Sequence, residues 1–423
     1  MPDILLPRLT VALETALDRY HARNPGSAAA LARARRVLPG GNTRSSLWVS
    51  PFPLCIESGE GCRIRDVDGH VYVDLLGEFT AGIFGHSAPV LAKAVALAHA
   101  QGINLSSHTP YEVDLAERLC ARFPSMDRLR FANSGTEANL MAVTAARLVT
   151  GRDRVVVFRG GYHGGVLTFG AGVSPVDVPF DYACLPYNDI AASRAEFAAR
   201  GGDIACVLVE PMQGAGGCVP GTPAFLSALG HLTRDHGAIL IFDEVQTARM
   251  AAGGAQARLG ITSDMTTLGK FFGGGLAFGA FGGRAEIMDR FDPARPDALP
   301  HAGTFNNNSL TMAAGIAAID HYLTPEALDA LYQRGEALRA TMNTLFTSRD
   351  MPFTTTGMGA IMNIHARAGA GPEVDRKLLA LLHLVMQERG YYFAARGLMA
   401  LSFPVGEAEI AGFLAALDQG LPL

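Results

Sequence analysis

Buried strands that alternate with helices constrain the fold of this 423-residue chain more than any other sequence feature. Three short apolar runs, at 154–158, 205–210 and 238–243, have the composition of strands buried on both faces. Segments with helical spacing, such as 115–123 and 137–149, lie in the same part of the chain. Because parallel strands need crossover helices, the pattern predicts an α/β domain around a mostly parallel sheet.

The two ends of the chain depart from this central pattern. Apolar residues recur at helical spacing between residues 4 and 20, and the stretch 62–74 alternates around Asp68-Gly69 as a β-hairpin does. A helix is predicted over 325–345, with a smaller α+β lobe after it. We therefore predict three regions: an N-terminal helix and small-domain segment at 1–75, a large α/β domain at 76–318 and a C-terminal small α+β domain at 319–423.

Composition and charge exclude several classes of protein. A net charge of −5 without a long basic run argues against a nucleic-acid partner. No apolar stretch approaches the roughly 20 residues that span a bilayer, and no secretory signal is recognised, so a cytoplasmic protein is expected. Six cysteines without a CxxC pair predict scattered thiols rather than a disulfide framework or a zinc site.

An aspartate and a lysine predict the central chemistry. Asp243 ends the third apolar run, and Lys270 follows 27 residues later in a glycine-rich stretch. This arrangement is typical of a pyridoxal 5′-phosphate site, where a lysine forms a Schiff base with the cofactor and an aspartate pairs with the pyridine nitrogen. A P-loop is excluded because position 264 is Asp and Phe271 follows the lysine. A surface lysine is the alternative, which the apolar flank of Leu268 and Phe271 disfavours.

A phosphate site is predicted from the sequence Ser134-Gly135-Thr136-Glu137. It has the form of a capping box, which indicates that a helix begins here after a strand. The amides of a helix N-terminus and the hydroxyls of Ser134 and Thr136 are suitable donors for a phosphate group. The alternative is an ordinary helix cap, and the presence of Asp243 and Lys270 favours the phosphate site.

Residues after the other strands complete the predicted site. Tyr162 lies among glycines, where its ring can lie flat against a planar cofactor, or alternatively fill a gap in a loop. Val245 is placed to pack on the opposite face of the ring, and Gln246 to reach the ring oxygen. We expect Glu244 to be a structural ion-pair partner, and His163 to be a satisfied loop histidine rather than a base.

Together these residues resemble the class III aminotransferases, pyridoxal-phosphate enzymes of the fold-type I group. The matching segments occur in the family's order at 133–138, 161–164, 210–211, 242–245 and 269–270. The resemblance runs from about residue 38 to residue 404, and it implies a large domain with a mostly parallel sheet plus a smaller α+β domain built from both termini. It also implies that Glu210 belongs to the cofactor site and that Thr304 completes the phosphate site of the neighbouring subunit in a homodimer.

The resemblance also bears on the substrate. The loop around Arg44 resembles the substrate loop of glutamate-1-semialdehyde aminomutases, but the segment around Arg396 departs from their pattern. The match is closer to aminotransferases acting on aromatic β-amino acids, in which arginines at these two positions receive substrate carboxylates. A guanidinium fork binds a carboxylate bidentately, which suits that role. Trp48 and Phe79 are available to line an aromatic pocket, although each would belong to the core by default.

The expected enzyme is a transaminase that moves the amino group of an aromatic β-amino acid, such as β-phenylalanine, to a 2-oxo acid. The acceptor is expected to be 2-oxoglutarate or pyruvate, and the mechanism is ping-pong, with Lys270 carrying the proton. Three alternatives stay open: an aminomutase, an amine transaminase that needs no carboxylate, and a non-catalytic binding protein on the same fold.

Overall fold

The structure is a computed structural model that describes residues 2–422, and these residues divide into two compact units. The larger unit comprises Pro89–Gln333 with Gly357–Gly359. The smaller unit comprises the residues up to Ala88, Arg334–Thr356 and the residues from Ala360 onward, so it is built from both ends of the chain. The units change over at residues 88 and 334, whereas the sequence placed boundaries at 75 and 318. The three-region division stays a prediction.

Helices and strands occupy most of the described chain. The α-helices are α1 Pro2–Arg23, α2 Pro25–Ala34, α3 Pro89–Gln101, α4 Pro110–Arg122, α5 Gly135–Thr150, α6 Ile190–Arg200, α7 Pro223–His236, α8 Gly254–Leu259, α9 Ala285–Met288, α10 Ser309–His321, α11 Pro325–Ser348, α12 Pro372–Glu388 and α13 Glu407–Asp418. None of them, within the described residues, is long and apolar enough to cross a membrane.

The strands follow the same order along the chain. They are β1 Ile56–Glu60, β2 Arg63–Asp66, β3 Val71–Asp74, β4 Arg128–Ala132, β5 Arg154–Phe158, β6 Gly161–Tyr162, β7 Thr168–Phe169, β8 Asp181–Leu185, β9 Ile204–Val209, β10 Met212–Gln213, β11 Val219–Pro220, β12 Ile239–Asp243, β13 Met265–Gly269, β14 Gly279–Gly283, β15 Phe353–Met358, β16 Ile361–Ala366, β17 Tyr391–Tyr392 and β18 Leu398–Ala400.

A seven-stranded sheet forms the centre of the larger unit, in the order β4-β14-β13-β12-β9-β5-β8. Its pairs are parallel except those of β14, which is antiparallel to both β13 and β4. The predicted mostly parallel sheet is confirmed. Sequence patterning missed β14, because Gly-Ala-Phe-Gly-Gly lacks the β-branched residues that mark a strand. The parallel strands place their carboxyl ends on one edge, where open α/β sheets bind ligands.

Two apolar clusters cover the faces of this sheet. Along β5, Val155 and Val157 pack into one cluster with residues of α5, and Val156 and Phe158 pack into the other with Phe225 of α7. Side chains of a strand alternate between its two faces, so each of these four residues packs against an apolar cluster. Each fully buried side chain of this kind contributes about 1.5–3 kcal/mol.

In the smaller unit, the hairpin predicted around Asp68-Gly69 is present as β2 and β3. The carboxylate of Asp68, at its tip, accepts hydrogen bonds from the amides of Gly26 at 2.6 Å and Ser27 at 2.9 Å. These amides belong to the first turn of α2, so Asp68 satisfies donors that the helix leaves unpaired. Burial raises the pKa of Asp68, but these hydrogen bonds outweigh it and the pKa lies below its usual value.

A left-handed turn follows β3 in the same unit. Gly77, Glu78, Phe79 and Thr80 have φ angles of 52°, 48°, 51° and 80°. The turn is held by the carboxylate of Asp74, which accepts a hydrogen bond from the amide of Gly77 at 3.0 Å. A non-glycine residue in this conformation costs about 1–2 kcal/mol. Three such residues in succession persist only where the surrounding structure determines their conformation.

Candidate active site

The predicted cofactor residues of the larger unit gather at the carboxyl edge of the central sheet. Each comes after a different strand: Ser134–Thr136 after β4, Tyr162 after β5, Glu210 after β9, Asp243 at the end of β12 and Lys270 after β13. Sequence spacing had suggested the strands, and the parallel pairing places their ends on a common edge.

Glycines allow three of these segments to meet. A Cβ atom on Gly135 would lie 2.8 Å from Cγ2 of Val245, and one on Gly269 would lie 3.1 Å from Cγ1 of the same valine. A larger residue at Gly135 would therefore push these segments apart. Lys270 follows directly, half-buried, with a φ of 56° in the left-handed region. The start of α5, the end of β12 and Lys270 are thus neighbours.

The N-terminus of α5 has the donors that an anion needs. Oγ of Ser134 accepts a hydrogen bond from the amide of Glu137 at 3.1 Å, as a helix cap does. The carboxylate of Glu137 accepts from the amide of Asn133 at 2.8 Å, so the capping box predicted with Ser134 is only half formed. The amides of Gly135 and Thr136 lie in the first turn, where the helix itself supplies no acceptor and the dipole is positive.

A glycine loop closes on this helix turn. The amide of Gly165 donates to Oγ1 of Thr136 at 3.3 Å, and a Cβ atom on Gly164 would lie 2.2 Å from the same oxygen. Tyr162, just before these glycines, is held by its amide, which donates to Oε2 of Glu210 at 3.0 Å. Its side chain is 44% exposed in the isolated chain, so the ring is accessible to a ligand.

Asp243 is the centre of a buried hydrogen-bond network. Nδ2 of Asn139 and Nδ1 of His163 each lie 2.8 Å from its Oδ2, and the amide of Val245 donates to its Oδ1 at 2.9 Å. Asn139 also donates to the carbonyl of His163 at 3.0 Å and accepts from the hydroxyl of Thr267 at 2.6 Å. These contacts fix the orientation of the carboxylate.

Sequence reasoning missed Asn139 and gave His163 only a general structural role. Asn139 is an isolated amide among the buried residues of α5, such as Ala138 and Ala142, and that exception to the apolar pattern was its only signal. His163 is buried against Asp243. Burial, the largest single influence, lowers the pKa of His163, but the hydrogen bond and charge of Asp243 bring it above its usual value. Asp243 therefore favours the protonated form of the His163 ring, to which it is hydrogen-bonded.

Glu210 is a second buried carboxyl group in this region. It accepts from the amide of Gly214 at 3.2 Å in addition to that of Tyr162. Burial raises the pKa of Glu210 to about 7, although His163 and the two amides lower it. Its charge therefore changes near neutral pH. Gln246 lies close by, because a Cβ atom on Gly214 would be 2.2 Å from its Oε1.

The prediction that Glu244 forms an ion pair is wrong. Its fully buried carboxylate instead accepts hydrogen bonds from the hydroxyl of Thr247 and from the amides of Ala255 at 3.0 Å and Gln256 at 2.8 Å. Burial raises the pKa of Glu244, against the effect of these donors. Ala255 and Gln256 lie in the first turn of α8, where the positive end of the helix dipole stabilises a carboxylate. Glu244 thereby anchors the chain just after Asp243.

Thr304 lies on an exposed loop of the larger unit. With the segment 103–109 it lines a cavity of about 620 Å³. The loop is tied down by Asn306, whose Oδ1 accepts from Nδ2 of Asn133 at 2.8 Å. Because Asn133 directly precedes Ser134, the Thr304 loop and the start of α5 are linked.

The predicted substrate residues belong to the smaller unit. Arg44 forms an ion pair with Glu78, and its guanidinium carbon lies 5.4 Å from the ring centroid of Phe79. Trp48 is 44% exposed, with the guanidinium carbon of Arg35 at 5.6 Å from its ring centroid. The structure thus brings Arg44 and Phe79 together.

Arg396, the second predicted substrate arginine, is exposed in a tight turn of the smaller unit. Its carbonyl accepts a hydrogen bond from Nδ2 of Asn363 at 3.1 Å. The amide of Gly397 donates to the carbonyl of Ala394 at 2.7 Å. Gly397 has a φ of 93°, and a Cβ atom there would lie 2.1 Å from the carbonyl of Ile364. The backbone at Arg396 is therefore closely fixed.

The residues at the sheet edge fit pyridoxal 5′-phosphate. A helix N-terminus suits its phosphate, and a lysine beside that helix suits its aldehyde. A buried carboxylate held by three donors suits its protonated ring nitrogen. These residues thus match the phosphate, the aldehyde and the ring nitrogen of the cofactor.

Comparisons with known proteins agree with this fit. The profile of the family described as aminotransferase class-III matches residues 45–383. The beta-phenylalanine transaminase of Variovorax paradoxus is 50% identical over 414 residues, covering 96% of this chain and 95% of the relative. A solved structure of a beta-phenylalanine aminotransferase from Variovorax paradoxus has a TM-score of 0.95 and 49% identity, covering 97% of both chains. The glutamate-1-semialdehyde 2,1-aminomutase of Sorangium cellulosum is 38% identical, covering 94% of this chain and 97% of the relative. The chain belongs to the class III aminotransferases, which depend on pyridoxal 5′-phosphate.

Proposed function

We propose that this aminotransferase moves the amino group of an aromatic β-amino acid, such as β-phenylalanine, to a 2-oxo acid. The observation that carries the proposal is the 50% identity, over nearly the whole chain, with a beta-phenylalanine transaminase. The pairing of Arg44 with the ring of Phe79 supports it, because such a donor carries both a carboxylate and an aromatic ring. The acceptor is 2-oxoglutarate or pyruvate, and the two half-reactions alternate.

Five residues of the larger unit hold the cofactor in this proposal. Lys270 attaches it through Nζ, and Asp243 pairs with the ring nitrogen. The first turn of α5 binds the phosphate through Ser134, Gly135 and Thr136. When bound, pyridoxal 5′-phosphate supplies an electron-withdrawing ring that stabilises negative charge at the amine-bearing carbon of the substrate.

Other residues orient the ring and its surroundings. Tyr162 and Val245 flank its two faces, and Gln246 reaches the ring oxygen. Glu210 holds the backbone of Tyr162, to which it is hydrogen-bonded at 3.0 Å. Asp243 is held in turn by Asn139 and His163, so its carboxylate cannot rotate away from the ring nitrogen.

Lys270 also moves the proton. Once the substrate amine has displaced it, Nζ is a neutral amine beside the carbon whose proton must leave. With the cofactor bound, Nζ would accept that proton and return it to the cofactor carbon C4′, which the substrate nitrogen joins to the amine-bearing carbon. Arg44 and Arg396 hold the substrate carboxylates, while Trp48 and Phe79 line the aromatic pocket.

The active unit in this proposal is a homodimer, in which Thr304 of one subunit completes the phosphate site of the other. The exposure of Thr304 on the single chain supports this, since a residue that serves a partner must reach outward. Mixing Lys270→Ala subunits with Thr304→Ala subunits tests it. If Thr304 acts across the interface, hybrid dimers regain one intact site, and about a quarter of the native activity returns. If it serves its own chain, mixing restores nothing.

The substrate proposal is tested by assaying purified enzyme with each donor and acceptor separately. Glutamate formed from β-phenylalanine and 2-oxoglutarate supports it, and Arg44→Ala is then expected to remove most of that activity. Turnover of 1-phenylethylamine that Arg44→Ala leaves unchanged, without turnover of β-phenylalanine, indicates an amine transaminase. Isomerisation of glutamate-1-semialdehyde without an acceptor indicates an aminomutase.

A further inference from the structure

We propose that Glu78 is an internal carboxylate that occupies Arg44 until a substrate carboxylate replaces it. Glu78 then determines how strongly the enzyme selects donors that carry a carboxylate. This inference rests on the proposed function, because it assigns Arg44 to the substrate carboxylate. It concerns only residues of the smaller unit.

The contacts of Arg44 define the exchange. Its guanidinium forms an ion pair with the carboxylate of Glu78 and packs over the ring of Phe79. A guanidinium keeps its charge throughout the working pH range and offers several donors in one plane. The group that Glu78 presents to it is chemically the same as the carboxylate of a β-amino acid. The two carboxylates therefore compete for the same donors.

The exposure of this pair makes the exchange inexpensive. The side chains of Arg44 and Glu78 are 44% and 56% exposed. Exposed ion pairs contribute about 0–1 kcal/mol, since water solvates each partner well when they separate. An incoming carboxylate can bind Arg44 bidentately and displace Glu78 at this small cost. A deeply buried pair would have resisted displacement.

The backbone keeps Glu78 in place for this role. Glu78 and Phe79 lie in the left-handed turn, where φ is 48° and 51°. Buried groups hold both sides of the turn: Thr80 is fully buried, and the carboxylate of Asp74 binds the amide of Gly77. The amide of Gly82 closes the turn on the carbonyl of Gly77 at 2.8 Å. Glu78 therefore stays beside Arg44 after displacement and can return when the product leaves.

The exchange has a consequence for selectivity. For a donor with a carboxylate, binding includes the cost of separating Arg44 from Glu78. For a donor without one, the pair stays intact, and the charge of Arg44 remains neutralised. Glu78 thus weakens the preference for carboxylate-bearing donors and lets uncharged ligands bind without leaving a bare cation.

The variant Glu78→Gln tests the inference, because glutamine keeps the length of the side chain and removes its charge. Glu57→Gln, at an exposed glutamate of β1, is the matched control. We expect Glu78→Gln to lower the KM for β-phenylalanine by up to about 5-fold, with kcat unchanged. The inhibition constant of 3-phenylpropanoate, which has the carboxylate but no amine, should fall by the same factor. The KM for 1-phenylethylamine should not fall, and Glu57→Gln should match the native enzyme throughout.

Two results would overturn the inference. An unchanged KM and inhibition constant would mean that Glu78 does not compete for Arg44, and a raised KM would mean that it orients Arg44 for the substrate. A thermal unfolding curve of each variant shows whether the fold is intact.

Failure of the proposed function is a separate outcome. It is recognised when the native enzyme aminates pyruvate from other donors but not from β-phenylalanine. In that case 3-phenylpropanoate binding still tests the exchange at Arg44.

Discussion

Asp243 and Arg44 each carry a charge that the proposed chemistry needs, but their surroundings differ. Asp243 is 3% exposed and receives three hydrogen bonds from within the larger unit. The side chain of Arg44 is 44% exposed and contacts one carboxylate and one ring in the smaller unit. A resident cofactor favours groups that never rearrange, whereas a substrate that enters and leaves at every turnover favours groups whose partners are easily exchanged.

This contrast separates stability from activity. Removing a partner from the buried network leaves polar groups without hydrogen bonds, which costs stability as well as function. Changing an exposed pair costs little stability, so its effect is confined to substrate binding. The following predictions test this difference.

The largest effect is expected for Lys270→Ala. Without Nζ the enzyme loses both the attachment of the cofactor and the proton carrier, so we expect turnover to fall by at least about 10⁴-fold. The visible absorbance of lysine-bound cofactor should disappear with it. Lys93→Ala, at an exposed position of α3, should change neither. A Lys270→Ala enzyme that keeps both would exclude the proposed chemistry.

Next in size is Asn139→Ala, in the buried network. The change removes one of the three hydrogen bonds to Asp243, together with those that Asn139 forms with the carbonyl of His163 and the hydroxyl of Thr267. We expect the free energy of unfolding in urea to fall by about 2–4 kcal/mol. Asn104→Ala, at an exposed asparagine, is expected to change it by less than about 0.5 kcal/mol. Equal losses in the two variants would contradict the role given to the network.

A smaller effect is expected from pH. His163 has a raised pKa in the folded state, so its stabilising contribution is present at low pH and is lost as pH rises through that value. Burial raises the pKa of Glu210 to about 7, so the folded state holds a proton that the unfolded state has already released. Both effects make the free energy of unfolding fall between about pH 5 and pH 8, by about 2–3 kcal/mol.

Denaturation curves at several pH values measure this slope. Glu210→Gln cannot ionise, so its slope should be shallower than that of the native protein. A native free energy of unfolding that rises from pH 5 to pH 8 would show that Glu210 and His163 do not dominate this range.

The smallest effect on stability is expected for Arg44→Ala. Its exposed pair with Glu78 contributes about 0–1 kcal/mol, so the free energy of unfolding should change by no more than that. Urea denaturation beside the Asn139→Ala variant gives the direct comparison. A loss as large as that of Asn139→Ala would erase the distinction between the two regions.

Much of the fold could be predicted from local patterns. The apolar runs gave β5 its bounds at Arg154–Phe158 and placed β9 and β12 within a residue. The hairpin at Asp68-Gly69 followed from turn chemistry. The strand β14 could not be found this way, because its glycine-rich sequence has no strand pattern of its own and it forms by pairing with β13 and β4.

The candidate site shows the same limit. Asp243, Tyr162 and Lys270 could be predicted from the sequence, because each ends or follows a recognisable strand. The role of Asn139 and the partners of Glu244 could not be predicted, because they depend on contacts between segments that are not adjacent in sequence. The pairing of Arg44 with Glu78 likewise joins residues that no local pattern connects.

The glycines of β14 have a consequence for engineering the enzyme. A Cβ atom on Gly279 would lie 2.2 Å from the carbonyl oxygen of Ser134, the residue that caps α5. From this neighbouring strand, any larger residue would displace the turn that we propose binds the phosphate. Libraries that diversify Trp48 or Phe79 to alter the accepted donors should therefore leave Gly279 unvaried, since inactive clones from this position would say nothing about substrate preference.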